Sequence, residues 1–263
     1  PWTPGYDVAG VVEKVGPGVT SLAEGDQVCG MVGFPLAAGA YAESVVAREE
    51  ELVKLDGVSL RQGAALPLAG LTAWQGLLEH GGLQSGQRVL ILAGAGGVGH
   101  LAVQFAAAYG AHVVATASGD NHSFLHSLGA SRMVDYHQAG WCTEAITDGP
   151  FDLVLDLVGG ESGKAALACV KPGGRLVTVP TITAQQIKDA GAELGVEVVG
   201  MLVHPDRTQL TQMLTLLRQG EVKITVSGEY TLAEGALAHQ AIEQGHVRGK
   251  LLLRMSAADG QPG

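Results

Sequence analysis

Hydrophobic and polar positions along the chain divide into two regimes. Up to about residue 55 the apolar residues come in short bursts: 8–15 (VAGVVEKV) and 26–33 (DQVCGMVG) predict short strands separated by Gly- and Pro-rich turns. Residues 41–46 and 51–55 continue that β-rich character. From Leu60 the spacing becomes helical over 60–80, with Pro67 and Gly70 breaking it into pieces.

The second regime alternates strand and helix. The continuous apolar run 88–93 (RVLILA) predicts a strand buried on both faces. Val98, Leu101, Ala102, Phe105, Ala106 and Tyr109 then recur at helical spacing, closed by Gly110. A strand at 112–117, a helix through Leu125 and Leu128 ended by Gly129, and strands at 132–135, 152–158 and 175–179 follow, with a helix near 162–170. That order is the signature of a doubly wound parallel sheet, an α/β fold. Residues 196–203 predict a late strand at the sheet edge. After it come a helix at 206–219, a β segment at 222–230, a helix at 232–244 and a last strand at 250–254.

Composition narrows the function. The 263 residues are 46% hydrophobic, with 39 glycines, which suits tight βα turns and excludes a disordered chain. A net charge of −10 without a long run of either sign opposes sequence-independent nucleic-acid binding. Cys29, Cys142 and Cys169 form no CxxC pair, so neither a disulfide framework nor a structural zinc site is expected. The reading is free thiols in a reducing, cytoplasmic setting. No apolar stretch is long enough to span a bilayer, and no membrane association is expected. Among the histidines none has metal-ligand spacing with a second ligand, so no metal is assigned.

The chemistry begins at Ala93-Gly94-Ala95-Gly96-Gly97-Val98-Gly99. Gly94, Gly96 and Gly99 satisfy G-x-G-x-x-G between a strand and a helix. The first permits the turn, the second lets backbone approach a pyrophosphate, and the third lets helix press on strand. Free N–H groups of Ala95, Gly97 and Val98 and the helix dipole then favour the phosphates of a dinucleotide. The end of the next strand, Thr116-Ala117-Ser118-Gly119-Asp120-Asn121-His122, chooses between cofactors. Ser118 repels no 2′-phosphate, and His122 and Arg132 supply positive charge nearby, which points to NADPH. The opposing reading makes Asp120 the acid that holds an NAD ribose, displaced by two residues.

The chain resembles the medium-chain dehydrogenase/reductase superfamily, in its zinc-free, quinone oxidoreductase-like branch. The resemblance runs to about Met255. It is carried by PGYDVAGVV at 4–12, GDQV at 25–28, GAYAE at 39–43, GLTAW at 70–74, AGAGGVG at 93–99, LGA at 128–130 and GKLLL at 249–253. It implies a GroES-like catalytic domain split around a Rossmann domain, with the active site in the cleft between them. The implied boundaries are 1–66 for the first catalytic part, 67–218 for the Rossmann domain, 219–256 for the return and 257–263 for a tail. Family members carry several dozen further residues before the PG-x-D motif, so the catalytic domain is expected to be incomplete as written.

The implied activity is hydride transfer from NADPH to a quinone, enone, enal or enoyl group. Where zinc-dependent relatives carry Gly-His-Glu this chain has Gly5-Tyr6-Asp7, which removes a metal ligand. Tyr6 and Tyr41 become candidates to donate a hydrogen bond to a developing oxyanion. Thr72 is expected near the nicotinamide, Val158 and Val179 at strand ends facing it, Tyr136 at the adenine or 2′-phosphate, and Lys250 on the nicotinamide side. Asp156 ends the fourth Rossmann strand and serves either the site or the fold. An enoyl-thioester reductase and a non-catalytic NADPH-binding module are the rival readings. The edge strand 196–203 predicts a homodimer.

Overall fold

The structure is a computed structural model and describes residues 3–255; the expected tail falls outside the described residues. The chain divides into two compact units. Among the described residues the first comprises 3–71, 204–220 and 224–255, the second 72–203 and 221–223.

In the first unit, β1 (Asp7–Val11), β2 (Gln27–Met31) and β3 (Leu52–Lys54) form an antiparallel sheet with Asp7 opposite Met31 and Cys29 opposite Val53. Leu22, Val28, Val32, Ala40 and Leu52 make its core. Residues 41–46, expected to be β-rich, form bends rather than a strand. Tyr41 instead donates its backbone N–H to the Pro4 carbonyl at 2.9 Å, a contact outside any ladder.

Helix α1 (Leu60–Ala65) is capped by Ser59 and Gln62, and α2 (Pro67–Trp74) continues into a π-helical turn at Gln75–Glu79. The division between the units falls within α2.

The second unit is built on six parallel strands: β4 (Arg88–Ile91), β5 (His112–Ala117), β6 (Arg132–Asp135), β7 (Phe151–Asp156), β8 (Val170–Thr178) and β9 (Glu197–Gly200). Their spatial order β6-β5-β4-β7-β8-β9 is the Rossmann order, reversing direction at the β4/β7 boundary. The connecting helices are α3 (Gly99–Ala108), α4 (His122–Ser127), α5 (Trp141–Ala145), α6 (Gly160–Ala166) and α7 (Thr181–Leu194). The core runs through Leu90, Val114, Val134, Phe151, Val154, Leu176 and Ile187. Helix α7 has no counterpart in the periodicity, because it buries only Ile187 and Gly191 and so shows no broad apolar stripe. The helix expected near 162–170 is α6 followed by a 3₁₀ turn at Leu167–Cys169.

Helix α8 (Arg207–Gln219) buries Leu210, Met213, Leu214 and Leu217, starts on the Asp206 cap and ends at Gly220. Expected to close the Rossmann segment, it belongs to the first unit. A two-stranded parallel ribbon of β10 (Val226–Thr231) and β11 (Lys250–Arg254), with α9 (Gly235–Glu243) between them, completes that unit.

Candidate dinucleotide and substrate site

The strand β4 ends one residue short of the glycine loop, and Gly94, Gly96 and Gly99 each have a separate physical reason. A Cβ on Gly94 would stand 2.8 Å from the Ala115 Cβ of β5. A Cβ on Gly99 would stand 2.2 Å from the Ala93 carbonyl oxygen and 2.8 Å from the Gly94 Cα, so only glycine lets α3 start this close to the strand. At Gly96 the nearest contact is the Ala93 oxygen at 3.4 Å, so the fold tolerates a side chain there and space toward a ligand decides the residue. Ala93 itself has φ 52°, which turns the chain sharply off β4.

Two neighbours brace the loop. The Ala93 N–H donates to the Thr116 hydroxyl at 3.1 Å, and the Gly94 N–H to the Thr116 carbonyl at 2.9 Å. His100, fully buried, has Nδ1 at 3.0 Å from the Gly96 carbonyl oxygen. A carbonyl only accepts, so Nδ1 carries the proton. Motif reading missed His100, which lies on the face of α3 opposite the apolar stripe, where periodicity expects a polar residue, so no sequence signal singles it out. The loop, its supports and the start of α3 form a cradle that fits a dinucleotide pyrophosphate.

At the end of β5, Ser118 accepts from the Asn121 side-chain amide at 2.8 Å, and Asp120 lies exposed in a 3₁₀ turn (Gly119–Asn121). His122 opens α4 with a buried Nε2 that has no hydrogen-bond partner among the described residues. From β6 a second acid arrives that sequence reading did not single out. The Asp135 carboxylate would lie 3.6 Å from a Cβ at Gly119. Hydrogen bonding from the His137 backbone is the largest influence holding its carboxyl below the usual range. Tyr136 is half exposed with its ring against His137.

At the end of β7, Asp156 is fully buried and accepts from the Thr178 hydroxyl (2.8 Å) and the N–H groups of Val158 (3.0 Å) and Gly159 (2.8 Å). Those bonds fix the turn into α6, so Asp156 is a structural carboxylate. Val158 stands exposed beyond the strand, and Val179 follows β8 with its N–H on the Asp156 carbonyl at 3.0 Å. Thr72 is buried within α2.

The first unit gathers the remaining candidates. Asp7 Oδ1 accepts from the Leu68 N–H at 2.7 Å, and Lys250 Nζ lies 3.9 Å from Asp7 Oδ2. Lys250 thus starts β11 beside a carboxylate. Burial raises the Asp7 carboxyl above its ordinary value, opposed by Lys250 and the Leu68 amide. The Tyr41 hydroxyl lies 3.2 Å from His239 Nε2, and burial together with the Asp7 charge keeps that phenol protonated above its ordinary range. Tyr6 packs edge-on against Phe34 with ring centroids 5.0 Å apart. Among the described residues no group of three or more His, Cys, Asp or Glu side chains is arranged to hold a metal ion, and burial pushes the Cys29 thiol up to about 12.

A Rossmann sheet with a glycine cradle and a β-rich unit at both chain ends defines a dinucleotide-dependent oxidoreductase. The chain belongs to the medium-chain dehydrogenase/reductase superfamily, in its quinone oxidoreductase-like branch. Residues 1–57 match the alcohol dehydrogenase GroES-like domain, and residues 128–253 match the family described as zinc-binding dehydrogenase. The chain is 35% identical to a mitochondrial NAD(P)H oxidoreductase of Danio rerio, covering 95% of this chain and 71% of that protein. It is 38% identical to a 2-methylene-furan-3-one reductase of Solanum lycopersicum, over 96% of this chain and 63% of the relative. The solved quinone oxidoreductase of Coxiella burnetii superposes with a TM-score of 0.93 at 39% identity, covering 97% of this chain and 80% of that one. The chain is an oxidoreductase using a nicotinamide cofactor.

Proposed function

We propose that the protein is an NADPH-dependent reductase of quinones or α,β-unsaturated carbonyls that works without a metal. The observation that carries the cofactor reading is the end of β5, where Ser118 stands in place of a strand-end acid and His122 offers a buried, unpartnered Nε2. The Asp135 carboxylate beside Gly119 favours a second reading, in which the site accepts NADH. Reduced nicotinamide supplies the hydride when bound.

The chain's own residues do the rest. The cradle from Gly94 to Gly99 holds the pyrophosphate, and Thr72, Val158, Val179 and Tyr136 are assigned to the remainder of the cofactor. Tyr41, kept protonated, donates a hydrogen bond to the acceptor oxygen as charge develops there, and His239 orients that hydroxyl. Lys250, whose Nζ lies 3.9 Å from Asp7 Oδ2, is assigned to the nicotinamide side of the cofactor. Conjugated acceptors suit a metal-free site because the negative charge spreads onto an oxygen that one hydrogen-bond donor can stabilise. The names of the tomato and Coxiella relatives agree with that acceptor class. The β9 edge is assigned to a homodimer contact.

The test is cofactor binding by fluorescence with NADPH and NADH, followed by nicotinamide oxidation against quinones, enals, enones and enoyl thioesters. Preference for NADPH, with turnover of a quinone or enone, supports the reading. Tighter NADH binding retires the cofactor assignment, and tight binding without any turnover makes the chain a binding module.

A further inference from the structure

A cavity lies wholly within the first unit, apart from every residue assigned above. It has a volume of 280 Å³ and is lined by Ser21, Val53, Lys54 and Asp56 from the sheet side and by Arg207, Thr211, Leu214 and Arg218 from α8. The α8 residues stand at i, i+4, i+7 and i+11, one face of the helix, so the sequence places a guanidinium at each end of one stripe. Three cations therefore line one cavity, with a single acid among the lining residues.

The carboxylates around it are already committed. Asp26 accepts from the Ala23 N–H and from Lys54 Nζ, each at 2.8 Å. Glu49 accepts from the backbone of Thr20 and Ser21, and the Arg207 charge acts on it without a hydrogen bond. Asp56 reaches Arg218 through its carbonyl oxygen at 3.5 Å, and Arg218 also bonds the Thr215 hydroxyl at 2.8 Å. The Arg207 guanidinium, half-buried, makes no hydrogen bond or ion pair with a described residue. A half-buried fork of donors without an acceptor is a place where an oxyanion gains most, because Arg presents paired N–H groups to two oxygens at once.

We propose that this cavity binds the phosphoryl group of a small phosphate monoester, with Arg207 and Arg218 as its forks. A doubly charged head group matches two guanidinium forks better than a lone carboxylate does, and the cavity leaves room for a short organic tail beside Val53 and Leu214. The chain's net charge of −10 repels polyanionic surfaces such as nucleic acid or an acidic bilayer, whereas a small ligand within the cavity experiences the local cations.

The test is calorimetric titration of the full chain with inorganic phosphate and with phenyl phosphate at constant ionic strength, without and with saturating NADPH. One phosphate site per chain that persists beside NADPH is expected. Arg207→Gln and Arg218→Gln should each weaken it about tenfold. Glutamine is a good helix former at these helix positions, and circular dichroism verifies that both variants fold. Lys14→Gln, which removes an exposed charge elsewhere in the same unit, should leave the affinity unchanged. Absence of a site beyond the one NADPH displaces, or equal weakening by Lys14→Gln, overturns the proposal. Binding of inorganic phosphate with exclusion of phenyl phosphate overturns the monoester assignment.

Discussion

The His100 ring donates from Nδ1 to the Gly96 carbonyl oxygen at 3.0 Å, and the His100 backbone N–H donates to the same oxygen at 3.0 Å. Both bonds draw that carbonyl into α3, so the glycine-loop backbone is held by a buried side chain in the helix's first turn. His100→Leu keeps the volume and loses the side-chain donor. A stability loss of about 1–3 kcal/mol is expected, read from urea midpoints, together with weaker cofactor binding. Unchanged binding in a destabilised variant would reduce His100 to a core residue.

Gly96 and Gly99 should separate affinity from stability. A methyl at 99 meets the Ala93 carbonyl oxygen at 2.2 Å, backbone that does not yield, so Gly99→Ala lowers both the melting temperature and cofactor affinity. At 96 the closest approach is 3.4 Å, so Gly96→Ala should melt near the wild type while losing about tenfold in dinucleotide affinity. Equal melting losses in the two variants would contradict the separate roles.

These contrasts show where the sequence speaks. Continuous apolar runs located β4, β5 and β7, and the glycine spacing located the cradle, because burial on both faces and close backbone approach each restrict residue type. Helix α7 escaped because its packing rests on a narrow contact around Ile187 and Gly191. The β-rich character of 41–46 misled because residues 41–44 form bends and Tyr41 spends its N–H on Pro4 outside any ladder. Asp135, His239 and the α8 cavity were invisible for another reason: each acquires meaning only from a chain neighbour distant in sequence, Gly119, Tyr41 or Lys54.

The three cysteines should differ sharply toward an alkylating reagent. Burial with the Asp7 charge raises Cys29 to about 12, and Cys169, whose thiol donates a hydrogen bond toward Cys142, is raised by that bond and by burial. Cys142, partly exposed, is correspondingly lowered by the Cys169 hydrogen bond. Limiting iodoacetamide at mildly alkaline pH should therefore modify Cys142 first, as read by peptide mass spectrometry. Early labelling of Cys29 would mean that β2 opens more readily than its burial implies.

Asp7 should leave a signature in stability against pH. Its folded pKa lies above the ordinary 3.8, chiefly from burial and against the pull of Lys250 and the Leu68 amide. Between 3.8 and the raised value the folded chain holds more protons than the unfolded chain, so stability falls as pH rises through that window. The contribution is fully present below the unfolded pKa and gone above the folded one. Asp7→Asn still accepts from the Leu68 N–H but no longer titrates. The wild type minus variant difference in urea midpoint should therefore decline from about pH 4 upward and then level off. Lys250→Met removes the opposing charge, raises the folded pKa further and should extend the decline to higher pH. A difference that rises with pH instead would mean that the Lys250 ion pair outweighs desolvation, and would reverse the sign assigned to this carboxylate.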